Sequence, residues 1–166
     1  MLKKQIVHAF GNTYYLFGKD EYGVKWYLQK STWDCGWYWG FGYLDSFTNN
    51  ACPEKSKDIA GHTHLSSLMF ELCGSGVGAL KNRFKECVLT DEELFEFVDY
   101  IKSGYALKDA AELFGRGHSN YTERAKIDGL VKPDWAKEIN EKLIPEINRA
   151  IEKLLSPEDG WLESAD

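Results

Sequence analysis

The chain reads as an α+β protein, an N-terminal antiparallel β-meander packed against C-terminal helices. Three observations predict this. Before residue 47, aromatic and β-branched residues alternate with polar ones between turn signals. After residue 90, apolar residues recur at helical spacing behind a capping box. The length, 166 residues, is most simply one domain. Residues 1–156 are assigned to that domain, and 157–166 to a loose C-terminal tail.

The meander comes first. Lys4 to Phe10 is a strand, and Gly11-Asn12 is its turn pair. Thr13 to Phe17 is short, aromatic and β-prone. Gly18 to Gly23 has the composition of a hairpin loop. Val24 to Leu28 alternates, with Val24, Trp26 and Leu28 on one face and Lys25, Tyr27 and Gln29 on the other. Asp34-Cys35-Gly36 turns the chain into a long strand, Trp37 to Phe47, broken by Gly40 and Gly42. A loop from Thr48 to Glu54 closes the meander.

The helices follow. Leu65 to Leu72 is apolar behind Thr63 and His64, and Gly74 to Gly78 interrupts it. Ala79 to Cys87 reads as a short helix. Thr90 is the N-cap of a capping box with Glu93 at N3, and Leu94, Phe97, Val98 and Ile101 form the apolar stripe of a helix over 90–102. Ser103-Gly104 ends it, and Leu107 to Phe114 is a second short helix closed by Gly115. The last helix runs over 134–154. Its stripe is Ile139, Leu143, Ile147, Ile151 and Leu154, and Pro145 should kink it.

Charge and composition narrow the function. Net charge is −6 and the pI is near 5.3. Binding to nucleic acid or to an anionic membrane needs basic surface, so both are disfavoured. The acidic first helix also argues against reading the 90–114 pair as a helix-turn-helix. No apolar run has the look of a signal peptide or a membrane span, and Cys35, Cys52, Cys73 and Cys87 form no CxxC pair. The expected location is the cytoplasm, with reduced thiols.

The most distinctive segment is Trp33 to Tyr43, with aromatics at Trp33, Trp37, Tyr38, Trp39, Phe41 and Tyr43 and glycine at 36, 40 and 42. Flat rings with a polar tip suit stacking on a planar ligand or partner. The other reading is an aromatic sheet core, and the two faces of one strand can serve both. Phe114 to Tyr121 is the best anion-site candidate. Gly115 and Gly117 free the backbone, Arg116 can grip phosphate in a bidentate manner, and His118, Ser119 and Asn120 add contacts. Without phosphate it is a helix C-cap and loop. The candidate ligand-binding residues are Trp37, Trp39, Tyr43, Arg116, His118, Ser119 and Asn120.

Other clusters are weaker. His62 and His64 have strand spacing for a metal but no third ligand at a recognisable distance, so no metal is assigned. Asp34 and Cys35 do not by themselves make a nucleophilic site. Asp91, Glu92 and Glu93 compensate a helix dipole. Lys81, Arg83 and Lys85 read as a solvated basic face. No catalytic residue and no cofactor is assigned.

Tyr14 to Gly18, the Trp33 to Tyr43 run, Phe47 to Asn50 and Gly115 to Ser119 together resemble a set of small proteins from phages and prophages of Gram-positive bacteria. That resemblance implies a counter-defence factor in the host-cell cytoplasm, without implying an activity. The expected function is non-enzymatic sequestration of a nucleotide-type immune signal. The alternatives are an inhibitor that covers a host defence protein with its aromatic face, and a small nucleotide hydrolase. An aromatic face on so small a domain also predicts a homo-oligomer.

Overall fold

A computed structural model describes residues 2–30, 39–44, 62–64, 76–115, 138–158 and 162–164. Antiparallel pairing organises the N-terminal part. β1 (Ile6–Ala9), β2 (Asn12–Asp20), β3 (Lys25–Lys30), β4 (Trp39–Gly42) and β5 (His62–His64) pair in sequence order. Helix α1 (Val77–Arg83) leads into β6 (Phe84–Cys87), which pairs antiparallel with the C-terminal half of β2. β7 (Leu162–Ser164), inside the segment read as a tail, lies parallel to β1. The fold is α+β, with C-terminal helices on the sheet.

Two turns show how the sequence makes the meander. Phe10 and Gly11 take φ of 53° and 74° between the paired residues Ala9 and Asn12. Two positive-φ residues make the tight turn whose twist matches antiparallel strands. The turn therefore centres on Phe10-Gly11, one residue earlier than the expected pair. The β2–β3 hairpin is closed by Asp20 rather than by a loop beginning at Gly18. Its Oδ1 accepts from the N–H groups of Tyr22 (2.9 Å) and Val24 (3.0 Å), and its Oδ2 accepts from Trp26 Nε1 (3.0 Å). Gly18 instead lies within β2, opposite both Trp26 and Cys87. A β-carbon there would stand 2.4 Å from the Glu86 carbonyl oxygen, so only glycine lets β6 approach.

The Ala79 to Cys87 segment divides. Helix ends at Arg83, and Phe84 buries its ring beside Phe17, Trp26 and Phe41 from within β6. A strand pairing with β2 outweighs a short helical pattern. The capping box forms as expected: Thr90 N–H donates to Glu93 Oε1 (3.1 Å), and Glu93 N–H donates to Thr90 Oγ1 (3.2 Å). Helix α2 (Asp91–Gly115) then runs unbroken through Ser103-Gly104. Gly104 is buried there, and an interior glycine weakens a helix by only about 1 kcal/mol, too little to end one held by packing.

In the last helix, of which the described part starts at Glu138, a π-helical stretch, Ile139–Leu143, leads into α3 (Ile144–Leu155). Ile144 N–H donates to the Ile139 carbonyl, five residues back. This wider turn absorbs the irregularity expected at Pro145, which sits in the first turn of α3. It also shifts the stripe. Ile139, Ile144, Asn148, Ile151 and Leu155 face inward, while Leu143 is exposed.

One core joins sheet and helices. Phe17, Trp26, Phe41 and Phe84 form a ring cluster with centroids 5.2 to 5.8 Å apart, and Phe97 of α2 closes on Phe17 at 5.4 Å. Leu94, Phe97, Val98 and Ile101 are all buried, as the helical spacing predicts.

Candidate functional site

The ligand-binding residues expected from sequence fall into two groups. Trp37, Arg116, His118, Ser119 and Asn120 lie outside the described residues, as do Asp34 and Cys35. Trp39 and Tyr43 are described, at 2% and 4% exposure. Trp39 Nε1 donates to Asn148 Oδ1 at 3.1 Å, and its ring meets Tyr15 edge-on at 5.9 Å. Tyr43 meets Trp26 edge-on at 5.6 Å. Phe41, between them, is fully buried. At these three positions the aromatic run faces the core, and stacking on a ligand would require that core to open.

A polar cluster ties this end of the sheet to α3. Glu152 Oε1 accepts from Tyr15 Oη (3.1 Å), and Glu152 Oε2 accepts from Lys30 Nζ (3.0 Å). With Trp39–Asn148 one turn earlier, three strands are bound to one helix face. Burial first, and the Glu152 carboxylate second, push the Tyr15 phenol up to about 12. Among the described residues, these groups are hydrogen-bonded to one another.

An open cleft of about 690 Å³ lies elsewhere, between the chain before β1, α2 and the end of α3. A cleft of this size is within the range that holds small ligands, about 300–1,000 Å³. Tyr100 and Leu154 give it apolar wall, and Ser156 and Pro157 line its end. Lys4 and Glu93 form an ion pair on one side. Desolvation works to raise the Glu93 carboxyl, but hydrogen bonds from Lys4 and from Thr90 outweigh it and hold the pKa below the usual carboxylate value. Lys153, Glu96 and Glu158 complete the lining, and none has an ion-pair partner among the described residues. The cleft thus offers one ring, one cation and two carboxylates for a ligand.

Sequence reasoning passed over these residues because they come from three distant segments. The available signal was Tyr100, a large ring that follows Phe97 by three positions on a helix and carries a polar tip.

Other candidates can be placed in part. His62 and His64 lie in β5, opposite Gly42 and Gly40 of β4. Among the described residues no group of three His, Cys, Asp or Glu side chains could hold a metal. Burial pushes the Cys87 thiol up to about 11, so it is a poor nucleophile. Lys81 pairs with Asp91 at 2.9 Å, which ties part of the basic face to α2. No described helix is long and apolar enough to cross a membrane.

No family model matches the chain, and no curated protein or solved structure matches it.

Proposed function

We propose that the protein is a non-enzymatic binder that sequesters a small nucleotide-type ligand in the cleft between α2 and α3. The observation that supports this reading is that Tyr100 lines one cleft together with Lys153, Glu96 and Glu158, three charged groups without an ion pair among the described residues. A nucleobase has a flat face for Tyr100, and its amino and ring N–H groups are donors that carboxylates accept. Lys153 supplies a cation for phosphate. With two carboxylates beside it, the cleft favours a ligand of low charge, such as a monophosphate, over a triphosphate. Sequestration of an immune signal, as the phage resemblance implies, needs no more chemistry than this.

The test is titration of the purified protein with adenosine, guanosine and cytidine monophosphates by calorimetry, followed by heat denaturation and chromatography of the released ligand. The expected result is binding of at least one, weakened about tenfold or more by Lys153→Glu and by Tyr100→Ala, with the nucleotide recovered intact. Absence of binding at millimolar ligand, or recovery of a hydrolysed product, overturns the reading.

A further inference from the structure

A second surface lies on α2, next to the cleft and sharing Glu96 with it. Phe95 is 62% exposed, the most exposed of the large apolar side chains described. Nothing local requires it. The core stripe of this helix is complete without it in Leu94, Phe97, Val98 and Ile101. A phenyl ring on a solvated helix face also adds nothing to helix propensity. Its neighbours are acidic. Glu92 stands three residues before it, Glu96 one after and Asp99 four after, and all are exposed. Helical spacing puts Glu92 and Asp99 beside the ring. Glu92 lies in the first turn, where a carboxylate complements the helix dipole, but that effect has faded at Glu96 and Asp99. Glu92, Glu96 and Asp99 have no ion pair among the described residues. Among the described residues the cations near this face are Lys102, a turn beyond Asp99, and Lys81, whose charge is taken up by Asp91 four residues before Phe95.

We infer that this face is a docking surface for a protein whose apolar pocket is rimmed by Lys and Arg, with Phe95 as the anchor. The charge argument selects that occupant. Exposed aromatics at the centre of a patch carry much of the energy of protein interfaces, and opposite charge around them sets approach and partner choice. A second copy of this chain is a poor occupant. Two-fold pairing would bring Glu92, Glu96 and Asp99 of one copy against the same residues of the other. With a net charge of −6 the chain also repels itself at long range. A nucleic acid is excluded by the same carboxylates.

The test uses a defined partner mimic, a fluorescein-labelled amphipathic helical peptide of Lys and Leu, with a Glu and Leu peptide as its counterpart. Fluorescence anisotropy measures affinity at low and high salt. The full chain should bind the Lys–Leu peptide, and binding should weaken as salt rises. Phe95→Ser should lower affinity about tenfold or more. The triple variant E92Q/E96Q/D99N should lower it as well and flatten the salt dependence. Leu143→Ser, which removes an exposed apolar side chain from another helix, should bind as the parent does. Thermal melting of Phe95→Ser should match the parent, because the ring is outside the core.

Three results overturn the inference. One is equal affinity for the parent and Phe95→Ser. Another is equal binding of the Lys–Leu and Glu–Leu peptides. The third is a dimer in sedimentation that Phe95→Ser abolishes, which would make this face a contact between copies.

Discussion

Trp39 on β4 and Asn148 on α3, 109 positions apart in the chain, are joined by a 3.1 Å hydrogen bond from the indole Nε1 to Oδ1 in the buried interior. Each answers a requirement of the other. The indole N–H needs an acceptor once the ring is removed from water, and Asn148 would otherwise bring an amide into an apolar layer. The bond therefore fixes where along the sheet the helix sits.

Removing one partner should be costly. Asn148→Ala leaves the indole N–H buried without its acceptor and should destabilise the fold by about 1–3 kcal/mol. Trp39→Ala removes a ring from the core and should cost about 3–5 kcal/mol. Urea denaturation checks both. A Trp39→Ala variant with unchanged stability would contradict the buried geometry.

How much of this was legible depended on period and register. The stripe Leu94, Phe97, Val98 and Ile101 and the Thr90–Glu93 box could be read because each signal is local to one helix. The inward face of the last helix could not. A π-helical turn inserts one residue before Ile144, so Leu143 faces solvent and Asn148 takes an inward position. A polar residue at that position looks like solvent face until Trp39 supplies its partner. The same limit applies to the Trp33 to Tyr43 run. Alternation says that Trp39, Phe41 and Tyr43 share a face, but only the helix packed against it makes that face interior. The cleft was illegible because Lys4, Tyr100 and Lys153 converge only through the tertiary fold.

The burial of Tyr15, reinforced by the Glu152 carboxylate beside it, predicts an alkaline loss of stability. The Tyr15 phenol is raised from 10.0 to about 12 in the folded state. The unfolded phenol ionises first, so its contribution is fully present below pH 10 and is lost as pH rises from 10 toward 12. The size is on the order of 2–3 kcal/mol. Tyr15→Phe should flatten that part of the stability profile measured by denaturant titration. A profile unchanged by this substitution would mean that Tyr15 ionises equally in both states.

Gly18 predicts a steric failure. Its β-carbon would meet the Glu86 carbonyl oxygen at 2.4 Å, and that atom belongs to the backbone of β6. Gly18→Ala must push β6 from β2, at about 1–3 kcal/mol or more. Amide exchange should accelerate at Val88, whose N–H donates to Phe17 O at 2.9 Å beside this junction.

The opposite sign is expected at Phe10. A bulky residue with φ of 53° is strained in a turn that favours Asn or Gly. Phe10→Asn should relieve that strain and raise stability by roughly 0.5–1 kcal/mol, read as a higher melting temperature. A lower melting temperature would show that contacts of the half-exposed ring outweigh the backbone strain.

Glu93 joins the helix start to the cleft, and acid should separate its two roles. Its carboxylate accepts from Thr90 N–H and from Lys4 Nζ. Desolvation opposes ionisation there, but these hydrogen bonds prevail and depress the folded pKa below the ordinary 4.5. A depressed carboxyl contributes stability that is present above its unfolded pKa and is lost as pH falls through the folded value. The loss should therefore fall below about pH 4.5. Glu93→Gln keeps an acceptor for Thr90 N–H but loses the charge beside Lys4, so stability at neutral pH should fall while the acid slope flattens. Lys4→Met removes the cation alone. It should flatten the slope in part, because the capping bond to Thr90 continues to favour the ionised carboxyl. Equal acid slopes in the parent and Glu93→Gln would show that Glu93 has the same pKa folded and unfolded. Denaturant titrations between pH 3 and pH 7 on the three proteins decide it.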